Sequence, residues 1–66
     1  MNNFEFEIQK YCSAHKAGVS KNDTTSAILN TFEKHNYVTT PVEVRQVLDK
    51  ELDYFDTKFA IINLAK

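Results

Sequence analysis

The chain has one glycine, one proline, one cysteine and no tryptophan among its 66 residues. Each shortage excludes something. One glycine cannot build a Gly-rich phosphate loop, and tight hairpins that need positive φ are hard to make without more of them. So few turn residues favour short loops and an all-α fold. Cys12 has no second cysteine in the chain with which to form a disulfide. Charge of one sign is also lacking: the formal net charge is −1 and the pI is about 6.0. That balance gives no strong electrostatic pull toward nucleic acid or an anionic membrane. No apolar run approaches the roughly 18 residues of a membrane span. The opening "MNNFEFEIQK" has neither the basic start nor the long apolar centre of a signal peptide. A cytoplasmic protein without membrane association is the expectation. Low-complexity tracts, charge blocks and internal repeats are absent too, which argues against disorder.

What the chain does have is 42% hydrophobic residues, including five Phe and three Tyr. That is enough for one compact core and one domain over residues 1–66. A chain this short buries only about 60% of its extended surface. A homo-oligomer is therefore expected, because a second copy adds burial that size denies.

Four helices are predicted. In Asn3–Lys16, the residues Phe4, Ile8, Tyr11 and Cys12 recur at helical spacing, with Asn2 or Asn3 as cap and Gly18 as terminator. Phe4, Phe6 and Ile8 also alternate, so a short strand competes there. The second helix is placed at 24–35, with Asp23 as N-cap, Ala27, Ile28, Leu29 and Phe32 as its apolar face, and Asn36 as a left-handed stop. In the third, Thr40, Pro41 and Glu43 form a capping box with proline at the first helical position. Glu43 is expected to reach back to the Thr40 N–H. This helix runs from 41 to 50 or 52, and Val44, Val47 and Leu48, then Leu52 and Phe55, form its buried stripe. The last helix is expected to begin at Asp56 or Thr57. On a helical wheel Phe59 and Ile62 point one way, Ala60 and Leu64 another, and Ile61 and Ala65 a third. A helix apolar nearly all round is normally buried or contacts a partner. Strand is the alternative, since Ile61, Ile62 and Phe59 favour sheets.

Residues 24–65, through "SAILNTFEKHNYVTTPVEVRQVL" and "TKFAIINLAK", resemble the helix-turn-helix core of winged-helix transcription regulators, in particular MotA-type phage activators and Fur-type repressors. The residues that carry the likeness are Val38 and Thr40 in the turn and the T-x-x-E-[IV] form of Thr40, Glu43 and Val44. The resemblance implies a bundle of about four helices with a helix-turn-helix-like core. Its last helix would pack across the third and offer its exposed face to DNA. Nothing reads as the β-hairpin wing, and the N-terminal helix is expected to stand in for it.

Two functions compete. As a DNA-binding regulator acting as a dimer, the chain would use Thr57, Lys58, Asn63 and Lys66, with Arg45 on a phosphate. Residues 41–55, however, carry the carboxylates Glu43, Asp49, Glu51 and Asp53 against Arg45 and Lys50. Phosphate neutralisation supplies much of DNA affinity, and pairing of Arg45 with Asp49 along one helix face is the simpler use of that arginine. As a protein-binding regulator, of the kind phages direct at host proteins, the chain would use Tyr54, Phe55 and Phe59 beside Asp49, Glu51 and Asp53. Eight aromatics are more than so small a body can bury, and exposed Tyr and Phe favour interfaces. Protein binding is the preferred expectation.

Chemistry has little to work with. Cys12, His15 and His35 are metal-capable, but the four ligands and paired spacing of a structural zinc site are missing. Ser13, Ser20 and Ser26 lack a glycine elbow. A non-enzymatic protein without metal or cofactor is expected.

Overall fold

The computed structural model of the protein describes residues 3–65. It is all-α: α1 spans Asn3–Lys16, α2 Lys21–Lys34, α3 Pro41–Asp49 and α4 Tyr54–Asn63. No strand occurs among the described residues, so the strand alternatives for the first and last segments do not hold. The helices form a closed ring. α1 packs on α2 and α4, and α3 packs on α2 and α4, while the backbones of the diagonal pairs α1–α3 and α2–α4 stay apart.

Three helices begin with the same device. Ser20, Thr40 and Asp53 are the N-caps of α2, α3 and α4, each in extended backbone. Each side chain accepts the N–H of the residue three further on: Asp23 at 3.1 Å, Glu43 at 3.2 Å and Asp56 at 2.9 Å. That satisfies one orphan N–H per helix and places a carboxylate in the first turn, where the helix dipole favours it. This corrects two expected starts. Asp23 is not the cap of α2 but its third residue, so the helix begins at Lys21. α4 likewise begins at Tyr54, ahead of Asp56. The reciprocal half of the Thr40 box also differs. The Thr40 hydroxyl itself donates to Glu43 Oε1 at 3.3 Å. The expected cap Asn2 lies outside the described residues.

The helix ends are equally uniform. After α1, Gly18 has φ of 120°. The N–H groups of Gly18 and Val19 bond back to the carbonyls of His15 and Ala14, the two bonds of a Schellman motif. After α2, Asn36 takes φ of 64°, and Tyr37 N–H reaches Phe32 O at 2.8 Å. After α3, Glu51 adopts φ of 52°, which stops the helix at Asp49. A glutamate carries no sequence signal for that conformation, which is why the end was placed as late as 52.

The core comprises Phe4, Ile8 and Cys12 from α1, Ile28 and Phe32 from α2, Val44, Val47 and Leu48 from α3, and Ile61 from α4. Four threonines join it: Thr24, Thr25, Thr31 and Thr57. Thr31 and Thr57 donate to the carbonyls of Ala27 and Leu52, at 3.1 Å and 3.2 Å, which offsets the cost of burying a hydroxyl. Thr24 Oγ1 lies 3.4 Å from His15 Nδ1. The aromatic end of the core ties α1 to α2. Phe4 meets Phe32 edge to face at 5.1 Å and Tyr37 at 4.7 Å. Glu7 closes over this end, accepting from Lys34 at 2.6 Å with its second oxygen 3.6 Å from His35 Nε2. The Lys34 ammonium holds the Glu7 carboxyl below its ordinary value, and Glu7 raises that of Lys34.

Candidate protein-binding face

α4 is built the wrong way round for an isolated helix. Its buried residues are Thr57 and Ile61, whereas Phe55 and Phe59 are 62% and 56% exposed. The reason is angular. At about 100° per residue, Thr57 and Ile61 share one face and Phe55 and Phe59 lie nearly opposite, while Ile62, between the two, is half-buried against the core. Phe55 therefore does not continue the buried stripe of α3, which stops at Val44, Val47 and Leu48 with Leu52 half-buried. The new helix from Tyr54 turns the Phe55 side chain outward.

The exposed rings are organised. Tyr54 meets Phe55 edge to face at 5.0 Å. Lys58 sets its Nζ 5.8 Å from the Phe55 ring and 5.3 Å from the Phe59 ring. A cation over an aromatic face is favourable by about 0.5–1 kcal/mol at exposed sites. Lys58 therefore stays at the edge of the aromatic stripe and ties the two rings together.

Of the expected protein-binding residues, Phe55 and Phe59 form the centre of this face. Tyr54 is half-buried against the core. Asp53 is spent on capping α4, and Glu51 stands exposed in the turn before it. Asp49 is paired with Lys21 of α2, which corrects the expected Arg45–Asp49 pair. α3 meets the N-terminal end of α2 here, and that tertiary neighbour reaches Asp49 first.

The expected DNA-binding residues do not make one surface. Thr57 is 5% exposed and its hydroxyl is bonded to Leu52 O, so it is no groove reader. Lys58 and Asn63 remain accessible on α4, and Arg45 is exposed on α3. Lys66 lies outside the described residues.

Two of the clefts among the described residues flank the ring. One, of about 310 Å³, is lined by Cys12, His15, Lys16, Lys21, Asp49 and Thr57 among others. Its polar groups bind helix to helix. Lys16 Nζ donates to Leu52 O at 2.6 Å, Lys21 holds Asp49, and His15 Nδ1 lies 2.8 Å from Val19 O. A carbonyl only accepts, so that ring nitrogen carries the hydrogen and clamps the α1–α2 turn. The Cys12 thiol is pushed up to about 11 by burial, against an opposing pull from the Lys58 charge. It is protonated at neutral pH and is a packing group, not a nucleophile. No cluster of three metal-capable side chains occurs among the described residues. The other is an open groove of about 550 Å³ lined by Leu29, Tyr37, Val38 and Pro41 among others, with Val38 85% exposed. No helix among the described residues is long and apolar enough to cross a membrane.

The chain matches no protein family, no curated protein and no solved structure.

Proposed function

We propose that the chain is a small non-enzymatic regulatory protein that acts by protein–protein binding, of the kind phages direct at host proteins, and that the outward face of α4 is its contact. The observation that carries this reading is the pair Phe55 and Phe59, each more than half exposed on a helix whose core side holds a threonine and an isoleucine. Single exposed apolar residues are ordinary, but adjacent aromatic rings on one stripe form an interface anchor. A photo-crosslinking phenylalanine analogue at position 59, with position 45 as control, tests it in cells expressing the protein. Discrete protein adducts from position 59 alone are expected. Adduct patterns that do not differ between the two positions overturn the reading.

The second reading is a helix-turn-helix DNA-binding regulator acting as a dimer. It is favoured by the Thr40-capped α3 with α4 packed against it, and by Lys58 and Asn63 on the accessible side of α4. Against it stand the burial of Thr57 and the carboxylates of α3 and the turn that follows. Titration against random duplex DNA at about 50 mM salt decides, because non-specific binding is largely electrostatic and falls steeply with salt. No binding under those conditions removes the DNA reading.

A further inference from the structure

Seen down the axis of α4, the exposed stripe of Phe55 and Phe59, with Ile62 half-buried at its margin, has unlike edges. Lys58 lies on one side of it, and Asp56 and Asn63 lie on the other. Asp56 is exposed, and its carboxylate has no ion-pair partner among the described residues. Lys58 is half-buried against the rings it covers and likewise makes no ion pair among them. The stripe is thus an apolar band with a cation on one rim and an anion on the other, neither of them in an ion pair among the described residues.

Such a band complements itself in only one of the two face-to-face pairings that a twofold axis allows. With the axis perpendicular to the helices, the copies run antiparallel and each edge faces its own copy. Lys58 then lies beside a second Lys58, and like charges at close range repel. With the axis along the helices, the copies run parallel and opposite edges meet. Each Lys58 then faces Asp56 of the partner subunit, on both sides of the stripe. Phe55 and Phe59 meet their own counterparts in register, as an isologous interface requires.

We infer that the occupant of this face is a second copy of the chain, bound through a parallel, in-register α4 pair flanked by two Lys58–Asp56 ion pairs. The inference rests on the reading of this face as a protein contact and gives it to a second copy in place of a host protein. Size sets the expected strength. A standard interface takes about 800 Å² from each partner, about a fifth of the 4329 Å² this chain exposes. The ten residues of α4 span only about 15 Å. The contact therefore belongs among the small, weak interfaces, and the dimer depends on concentration.

Sedimentation velocity on the purified chain, from dilute solution up to about 1 mM, the weak end of measurable association, is the primary test. A reversible monomer–dimer equilibrium is expected. Phe55→Ala with Phe59→Ala should weaken it at least tenfold, a loss of about 1.4 kcal/mol, as for interface anchors, while circular dichroism stays that of the folded chain. Lys58→Glu alone should weaken the dimer, and adding Asp56→Lys should restore it. Ile62→Cys, which keeps both phenylalanines, should form an intermolecular disulfide under mild oxidation, because only a parallel register brings the two copies of that position, beside the centre of the stripe, to the same level.

A strict monomer throughout the range overturns the dimer. If position 59 then still traps a different protein in cells, the protein-binding reading stands without it. A dimer that survives loss of both phenylalanines moves the interface elsewhere. A charge swap that fails to restore association, with no Ile62→Cys cross-link, overturns the parallel register.

Discussion

The same residue type occupies two opposite environments in this molecule. Phe4 and Phe32, at the meeting of α1 and α2, are 3% and 1% exposed, whereas Phe55 and Phe59 on α4 are 62% and 56% exposed. The first pair is locked by edge-to-face contact and closed over by Glu7, Lys34 and His35. The second pair is held only by its neighbours on one helix and by Lys58. The difference does not lie in hydrophobicity, which is equal, but in where each side chain falls relative to the ring of four helices. A phenylalanine in the ring contributes to folding, and one outside it is available for binding.

Substitutions on either side should break that contrast unequally. Phe32→Ala leaves a cavity in a close-packed core and should cost about 3–5 kcal/mol. Against the roughly 3–10 kcal/mol that 0.05–0.15 kcal/mol per residue gives a chain of this length, that is a large share of its stability. Chemical denaturation should show a sharply lowered midpoint. Asp53→Ala removes the cap of α4 and should cost about 1 kcal/mol. Amide exchange should show the loss concentrated in the first turn of α4, beneath Phe55.

Glu51→Gly tests the turn that aims α4. Glutamate pays a steric penalty at the φ of 52° it holds there. Glycine should raise stability by about 0.5–1 kcal/mol, read as a higher denaturation midpoint. The clamp over the buried pair is weaker, because Lys34 is largely exposed and surface pairs count for little. Its pH dependence has a definite sign. The Glu7 carboxyl is held below its ordinary 4.5. Its contribution is therefore fully present above that value and is lost as pH falls through the lower, folded value. The thermal midpoints of the wild type and Glu7→Gln should differ slightly at neutral pH and converge in acid. Smallest of all is Phe59→Ser. In dilute solution it should shift stability by no more than about 0.5 kcal/mol, while changing association strongly. A large loss of stability there would place Phe59 with the core and remove the contrast.

The element boundaries show what sequence can and cannot carry. The bounds of α1 and the start of α3 were legible, because Gly18 and the Thr40–Pro41–Glu43 signal are local. The starts of α2 and α4 differ from expectation in the same way. In each, an acidic residue of the first turn, Asp23 or Asp56, carries the local start signal, while the cap stands three residues upstream at Ser20 or Asp53. Ser20-x-x-Asp23 and Asp53-x-x-Asp56 follow the spacing of Thr40-x-x-Glu43, and that repeat is the signal that would have found them. The buried Thr24 and Thr25 left no trace in an apolar pattern. The Lys21–Asp49 pair joins residues 28 apart, so no local rule could have matched them.

Sequence alone determined that the two middle segments form helices, where three of the helices stop or start, and that aromatic residues outnumber the places to bury them. Caps, left-handed stops and periodicity are short-range, and a chain with one glycine and one proline has few alternatives to helix. Which side of α4 faces inward was left open among the directions of Phe59, Ala60 and Ile61. The tertiary structure chose Ile61, with Thr57 a turn before it. α1 and α3 close the ring on that side, and a helix that presents several apolar faces can bury only those its neighbours reach. The aromatic stripe is what that choice left outside.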